Sequence, residues 1–304
     1  MSRRQTRSQT KAISTSTTLP DIKVLPLDKP NTNLPANDGV CRLPTALTRA
    51  ITGLKASDHK ILLRKQAWLR QYSLEVPSLF TRHAGVLNAT LVFAQEEAGT
   101  AVCIAPNGML LTCSHCVAGN ADELNESRNH WLLFRSGIAV KAVCVAWDER
   151  RDLALLHVNA VQQAGEDGGL SRFPFVSMSP TAPVLDSRLV CVGHPGSEDL
   201  EASQPGIKTN YDVLHVSTGR YRGRADDQDP QDNSEIGALM HDCWTYWGHS
   251  GAPLLDFKTG KLIGLHSSWD DETGMRRGIP LEAILEFLYE NKDRVPFIIE
   301  QMEH

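Results

Sequence analysis

Trp247-Gly248-His249-Ser250-Gly251-Ala252-Pro253 sets a serine between glycines and closes on a proline. Glycine admits positive φ and close approach by a neighbouring segment. A turn of this composition can therefore present the Ser250 hydroxyl and aim backbone N–H groups at one point in space. A serine hydroxyl by itself is a weak nucleophile. It gains reactivity from an adjacent base that a third group orients, so the rest of the chain is read for those two partners.

Upstream, Leu110-Leu111-Thr112-Cys113-Ser114-His115-Cys116-Val117 runs an apolar segment into a small-residue turn carrying a histidine. Imidazole titrates near neutrality and can take up and return a proton; a structural histidine at a strand end is the plainer reading of His115 alone. Asp152 directly precedes the apolar run Leu153-Ala154-Leu155-Leu156. A carboxylate there is either a solvated strand start or a partly buried acid facing a partner.

Around these sites the pattern is that of short strands with turn signals between them. Gly99–Ile104 and Met109–Cys113 flank Pro106-Asn107-Gly108, and Pro253–Phe257 and Lys261–His266 flank Lys258-Thr259-Gly260; both read as hairpins. Further strands are expected at 91–93, 140–147, 153–158, 189–192 and 213–217, arguing for an all-β barrel or sandwich. Pro280 opens a final amphipathic helix with Ile284, Leu285, Phe287 and Leu288 on its apolar face. Gly223 to Glu235 holds five acids and reads as a mobile surface loop, with Ala121–Asn129 a milder version.

Taken together, the order His, Asp, Ser, each at the edge of a β segment, resembles the trypsin/chymotrypsin-like serine peptidases. Thr-x-x-His-Cys, Asp-Leu-Ala-Leu-Leu and Gly-x-Ser-Gly-x-Pro all match, and the resemblance covers residues 82 to 295. It implies two six-stranded antiparallel β-barrels and a peptide-bond hydrolase acting on protein or peptide substrates. It also implies roles: Ser250 as nucleophile, His115 as general base, Asp152 as its orienting acid, and the N–H groups of Gly248 and Ser250 as the oxyanion hole. Such chemistry needs no cofactor and no metal.

Gly193-His194-Pro195-Gly196 and Gly278-Ile279-Pro280 resemble elements of the HtrA-like and glutamyl-endopeptidase branches. No sequence resembling a PDZ domain follows the last helix. In the resembling family, Thr245, His266 and Ser268 fall at the S1 pocket. Hydroxyl and imidazole groups there suit a Glu side chain before the cut, with Gln second; a core histidine on a strand is the competing reading of His266. Position 244 holds Trp244 and no acid, which argues against Lys or Arg in that pocket. Secreted trypsins carry an aspartate where this chain has His249, so activation by a freshly cut amino terminus is not expected. Many trypsins link the cysteine after the catalytic histidine to one on the preceding strand, and here that neighbourhood reads Ala98-Gly99-Thr100.

Other classes fit less well. An α/β-hydrolase elbow requires Gly-x-Ser-x-Gly and the order Ser, acid, His, whereas position 252 is alanine. Cys113 and Cys116 form a Cys-x-x-Cys pair, but no second pair stands at zinc-ligand spacing. A non-catalytic or conditionally active interaction protein on the peptidase fold is the alternative function.

The 304 residues are 41% hydrophobic and 22% charged, ordinary for a globular chain. The net charge of −5 gives no global sign of nucleic-acid binding. No apolar run approaches the roughly 18 residues of a membrane span. Residues 1–42 read as a disordered Ser/Thr-rich tail whose first twenty residues carry Arg3, Arg4, Arg7 and Lys11 and no acid. A solvated tail is favoured there, ahead of a basic arm for nuclear or nucleic-acid contacts and of a mitochondrial presequence. Residues 43–81 read as a helical extension, with Ser57-Asp58 capping the second helix, packed on the peptidase domain of 82–304 or free to bind a partner. Seven cysteines at irregular positions, without a secretory signal, suggest free thiols and a cytoplasmic or nuclear protein.

Overall fold

Apolar strands bounded by Gly-containing turns have one way to hide both their edges and their core faces, which is to curl into closed barrels. The computed structural model describes residues 23–24, 39–94, 99–163, 172–199, 202–204 and 206–295. In chain order its elements are β1 (Lys23–Val24), β2 (Cys41–Leu43), α1 (Arg49–Thr52), α2 (Ala56–Gln71), a 3-10 segment at Ser78–Ala89, β3 (Thr90–Phe93), β4 (Thr100–Cys103), β5 (Met109–Thr112), α3 (Ala121–Glu126), β6 (Asn129–Phe134), β7 (Ala139–Asp148), β8 (Leu153–Gln162), β9 (Arg188–Gly193), β10 (His215–Arg224), β11 (Leu239–His241), β12 (Pro253–Asp256), β13 (Leu262–Trp269), β14 (Arg276–Pro280) and α4 (Leu281–Glu290).

The first barrel runs β7-β6-β3-β4-β5-β8 and closes through β7–β8 pairing. The second runs β10-β11-β14-β13-β12-β9 and is also closed. This is the double-barrel all-β architecture implied by the sequence. Both faces of the barrel strands carry buried apolar side chains: Leu91, Leu110, Leu111, Leu132, Leu133, Leu155, Val190, Leu254 and Leu265 are fully buried. Both expected hairpins form, and Gly108 (φ +84) and Gly260 (φ +71) supply their left-handed positions.

Several elements differ from the sequence reading. β1 pairs with β7, and β2 pairs in parallel with β8, so two short stretches of the segment read as a tail belong to the first barrel's sheet; the rest of 1–38 lies outside the described residues. Strands β6 and β11 were not expected, and β10 runs on to Arg224. Its outer half alternates Arg220, Arg222 and Arg224, which look like loop residues in sequence. On the strand they face solvent and pair with acids: Arg222 with Asp186 at 2.6 Å and Arg224 with Glu282 at 2.6 Å. The stretch 121–126 is a helix, because the Asn120 side chain accepts from the N–H groups of Asp122 and Glu123, both at 3.0 Å. The acidic segment after β10 is anchored. Arg150 holds Asp229 at 2.8 Å and Asp232 at 3.6 Å, and Asn233 N–H donates to Arg150 O at 2.8 Å.

The N-terminal extension packs on the first barrel. Leu62 and Leu69 of α2 are buried, Lys65 Nζ donates to Phe93 O at 2.8 Å, and Gln66 Nε2 donates to Gly137 O at 2.7 Å. Trp131 Nε1 donates to Thr52 O at 3.1 Å. Ser57 and Asp58 do not cap α2; they lie inside its first turn, after the uncapped N-terminal residue Lys55. There Asp58 still opposes the positive end of the helix dipole. All seven cysteines are free thiols. No helix among the described residues is long and apolar enough to cross a membrane.

Candidate active site

β5 and β8 lie antiparallel with Thr112 opposite Ala154. That register brings the turn after β5 against the turn before β8, which is why His115 and Asp152 meet although 37 residues separate them. His115 Nδ1 lies 2.9 Å from both Asp152 carboxylate oxygens. The carboxylate also accepts from Ser114 Oγ at 2.9 Å and His115 N–H at 3.2 Å. Asp152 sits at φ +55, a left-handed conformation that aspartate tolerates better than most residues. Its backbone is held there by Ser114 N–H donating to Asp152 O at 3.1 Å. The acid is buried and the imidazole half-exposed, at 8% and 44% of the side chain. Burial pulls the His115 imidazole down, but the Asp152 carboxylate, with Cys116 alongside, outweighs it and holds His115 well above its ordinary value.

Ser250 occupies the turn before β12. Gly248 (φ +99) and Gly251 (φ +82) flank it in conformations that other residues rarely adopt. At Gly251 space forbids a side chain as well: a Cβ would collide with Thr100 O and Thr112 Oγ1. Thr100 clasps the turn from the first barrel. Its N–H donates to Ser250 O at 2.9 Å and its Oγ1 to Gly248 O at 3.0 Å, while Thr112 Oγ1 donates to Thr100 O at 2.7 Å. Gly251 N–H donates to His266 O at 2.8 Å, and Gly196 N–H to Trp247 O at 2.6 Å. Among the described residues, no group accepts from Gly248 N–H or Ser250 N–H, so both donors stay available. Ser250 Oγ itself donates to Ser267 O at 3.1 Å and makes no hydrogen bond to His115. Substituting Gly251 by alanine should destabilise the protein by about 3 kcal/mol, combining the φ penalty with overpacking. Thermal unfolding checks this; an unchanged melting temperature would contradict the clasp.

His266 is buried, and its Nδ1 lies 3.1 Å from Nε2 of buried His241. The His249 ring centroid lies 6.3 Å from that of His266. Burial, reinforced by neighbouring imidazoles and Arg276, pushes His266 well below its ordinary value and holds His249 at about 3, and burial with Arg276 holds His241 at about 3. All three are therefore neutral at neutral pH. No hydrogen bond among the described residues occupies His266 Nε2. Thr245 Oγ1, Trp247 Nε1, His241 Nδ1 and His249 Nε2 are buried without a partner. Native structures keep few such atoms, and these four lie on the segments bordering this turn. Ser268 Oγ is already engaged, accepting from Gly237 N–H at 3.3 Å.

The neutral histidines have a consequence for stability. A histidine with a depressed folded value leaves folding undisturbed above its unfolded value of 6.5. It destabilises the fold as pH falls from there towards about 3, because only the unfolded chain takes up the proton. The melting temperature should thus drop steeply between pH 6.5 and 4, and His241→Phe should flatten that slope. An equally steep slope in the variant would contradict the assignment.

Cys113 Sγ, His115 Nδ1 and an Asp152 oxygen lie within 4.8 Å of one another, close enough to be considered as metal ligands. Cys113 is fully buried and donates to His266 O at 3.5 Å, and the carboxylate already serves Ser114 and His115. The trio is thus better placed for orienting an imidazole than for holding an ion. Reading the sequence singled out His115, Asp152, Ser250 and Gly248 at this junction of the barrels. It missed Thr100, Ser114, His241 and Ser267, which act through contacts between distant segments. Ser114, directly beside His115, was the most findable of them.

Two closed six-stranded barrels, with a histidine–carboxylate pair next to Cys116, whose Sγ donates to Ser250 O at 3.4 Å, define a chymotrypsin-like double barrel. Residues 99–265 match the profile of the family described as trypsin-like peptidase domain, and the chain belongs to that family. Among solved structures, the serine endoprotease from Yersinia pestis is similar at 18% identity, covering 72% of this chain and 68% of that one with a TM-score of 0.51. An inactive mutant form of Rv3671c from M. tuberculosis H37Rv is similar at 16% identity, covering 72% and 94% with a TM-score of 0.48. The inactive form of the Rv3671c protease gives 17%, 72%, 97% and 0.49. At these identities the likeness is one of fold. No curated protein matches the sequence.

Proposed function

We propose that the chain is a serine endopeptidase. Ser250 Oγ attacks a peptide carbonyl, His115 Nε2 takes its proton and later returns it to the leaving amine, and Asp152 fixes the imidazole tautomer and stabilises the cation. The N–H groups of Gly248 and Ser250 bind the developing oxyanion. The observation that carries this reading is the His115–Asp152 pair at 2.9 Å, opposite a serine whose two flanking amide donors are uncommitted. For the first step the hydroxyl leaves Ser267 O and turns to His115. Such contacts often tighten only when substrate is bound. A fluorophosphonate probe tests the proposal: it should modify the wild type once, and Ser250→Ala not at all. An unmodified wild type would favour the non-catalytic reading.

The same reading includes cleavage after Glu, with Gln second. Its support is the buried His266 with a free Nε2, backed by His241, and the unpartnered Thr245 Oγ1. Both are hydrogen-bonding groups that an apolar side chain at this site would leave unpaired. His266→Val should lower kcat/KM for Glu- and Gln-containing peptides by on the order of 100-fold or more. It should do so without a matching loss of fluorophosphonate labelling. A peptide-library profile showing preference for Ala, Val or Leu before the cut would refute the pocket assignment. The seven free thiols support a reducing compartment, cytoplasm or nucleus, which cell fractionation would check.

A further inference from the structure

The peptide between Trp247 and Gly248 carries one of the two amide donors in the proposed oxyanion hole. A trans peptide is planar, with its C=O and N–H pointing in opposite directions. Whatever holds Trp247 O therefore also aims Gly248 N–H. That holder is Gly196 N–H, at 2.6 Å, on the segment that leaves β9.

The excursion between β9 and β10 grips the 244–247 stretch at several further points. Asp199 Oδ1 accepts from Tyr246 OH at 2.8 Å. The Tyr211 ring packs edge-on against Trp244 and Tyr246, each at 5.2 Å between centroids. Thr209 Oγ1 donates to Gly196 O at 2.8 Å, tying the returning limb to the residue that orients Trp247. His194 Nδ1–H donates to Val213 O and closes the base of the excursion.

This base lies against the N-terminal extension. Tyr72, the residue that ends α2, donates from its hydroxyl to Asp212 Oδ2 at 2.9 Å. Two helical turns earlier on α2, Lys65 is buried near His194, whose imidazole is held well below its ordinary value by burial first and by Lys65 second. Helix α2 is itself fixed to the first barrel through Lys65, Gln66 and Leu62. A continuous set of contacts thus runs from the first barrel through α2 to Asp212, Tyr211, Gly196 and the Trp247–Gly248 peptide.

We infer that helix α2 positions the Trp247–Gly248 peptide for catalysis, with the Tyr72–Asp212 hydrogen bond as the link, so that Tyr72 is a positioning residue. The inference rests on the peptidase reading, since an oriented Gly248 N–H matters only if an oxyanion forms there. It also gives the extension a task. This chain has His249 before the nucleophile, with its Nδ1 held 3.1 Å from Tyr246 N, and the turn takes its support from a helix at the other end of these contacts.

The test uses the full chain and the variants Tyr72→Phe, Asp212→Ala and Asp212→Asn. Phenylalanine removes one hydroxyl and keeps the ring. The expected result for Tyr72→Phe is a fall in kcat and in fluorophosphonate labelling rate of about 10-fold, below the full loss of an oxyanion donor. KM should stay within about twofold of wild type. Asp212→Ala should match Tyr72→Phe in rate, the double variant should lose no more than either, and Asp212→Asn, which keeps an acceptor oxygen, should retain most of the rate. In Asp212→Ala, which keeps every aromatic side chain, the near-ultraviolet dichroism of the Tyr211–Trp244–Tyr246 group should change. A Tyr72→Phe protein that melts earlier but keeps wild-type kcat would overturn the inference and leave Tyr72 a structural residue. If the wild type takes no probe, the peptidase reading fails, and the dichroism alone then decides the link: unchanged in Asp212→Ala, it overturns the link as well.

Discussion

Replacing Ser250 by alanine is expected to lower peptide hydrolysis by on the order of a million-fold, the loss typical when a triad nucleophile is removed, while the barrels stay folded. In the proposed mechanism the hydroxyl is the one group that forms a covalent bond to the substrate, so nothing else can take over its step. The turn itself does not depend on it. Ser250 is positioned by backbone contacts, with Thr100 N–H on its carbonyl at 2.9 Å and Gly251 N–H on His266 O at 2.8 Å, and its side chain contributes one hydrogen bond to Ser267 O. The melting temperature of Ser250→Ala should therefore lie within a degree or two of wild type, because loss of one part-buried hydrogen bond costs only about 1 kcal/mol. Residual hydrolysis above a hundredth of the wild-type rate would show that another group performs the attack.

The second large effect is expected at Asp152. Asparagine there keeps the shape but presents an amide where the carboxylate received Nδ1–H, so the imidazole settles in the wrong tautomer. The loss in kcat should be about 10,000-fold. The pH dependence follows from the charge. Burial lowers the His115 value and Asp152 more than restores it, for a net rise well above the ordinary imidazole range. The base must be neutral to accept a proton, so the acid limb of kcat/KM in the wild type should lie above that range. In Asp152→Asn it should move to lower pH. A limb that stays in place would mean that another group sets it. The fold should change little, because Ser114 Oγ at 2.9 Å and His115 N–H at 3.2 Å both donate to one Asp152 oxygen, and an amide oxygen, with two lone pairs, can accept both.

Much of this arrangement is legible in the sequence because it is local. An apolar strand running into Ser114-His115, an acid opening β8, and a serine between glycines are each contiguous, and their order along the chain fixes the fold to which they belong. Hairpin turns such as Pro106-Asn107-Gly108 pointed to an all-β barrel or sandwich, and the double barrel followed from the family resemblance. What stayed hidden is non-local or depends on context. Thr100 looks like any strand threonine until the nucleophile turn is laid across it. His241 becomes meaningful only when β11 and β13 bring it beside His266. The arginines of β10 hide a strand because Gly219 and Gly223 interrupt an already polar stretch, and their acidic partners come from elsewhere. The acidic segment at 226–235 looked mobile because its cationic partner, Arg150, lies some 80 positions away in the chain. The helical extension could be recognised as helical, but its face toward the second barrel, through Tyr72, carries no signature in a polar aromatic residue at a helix end.

The proposed mechanism requires Ser250 to be an activated nucleophile. Mass-spectrometric mapping of the fluorophosphonate adduct on the full chain, with His115→Ala as the comparison, tests this. One adduct is expected, on Ser250, formed rapidly in the wild type and slowed by several orders of magnitude without His115. An adduct on another residue, none at all, or equal labelling in both proteins would contradict it.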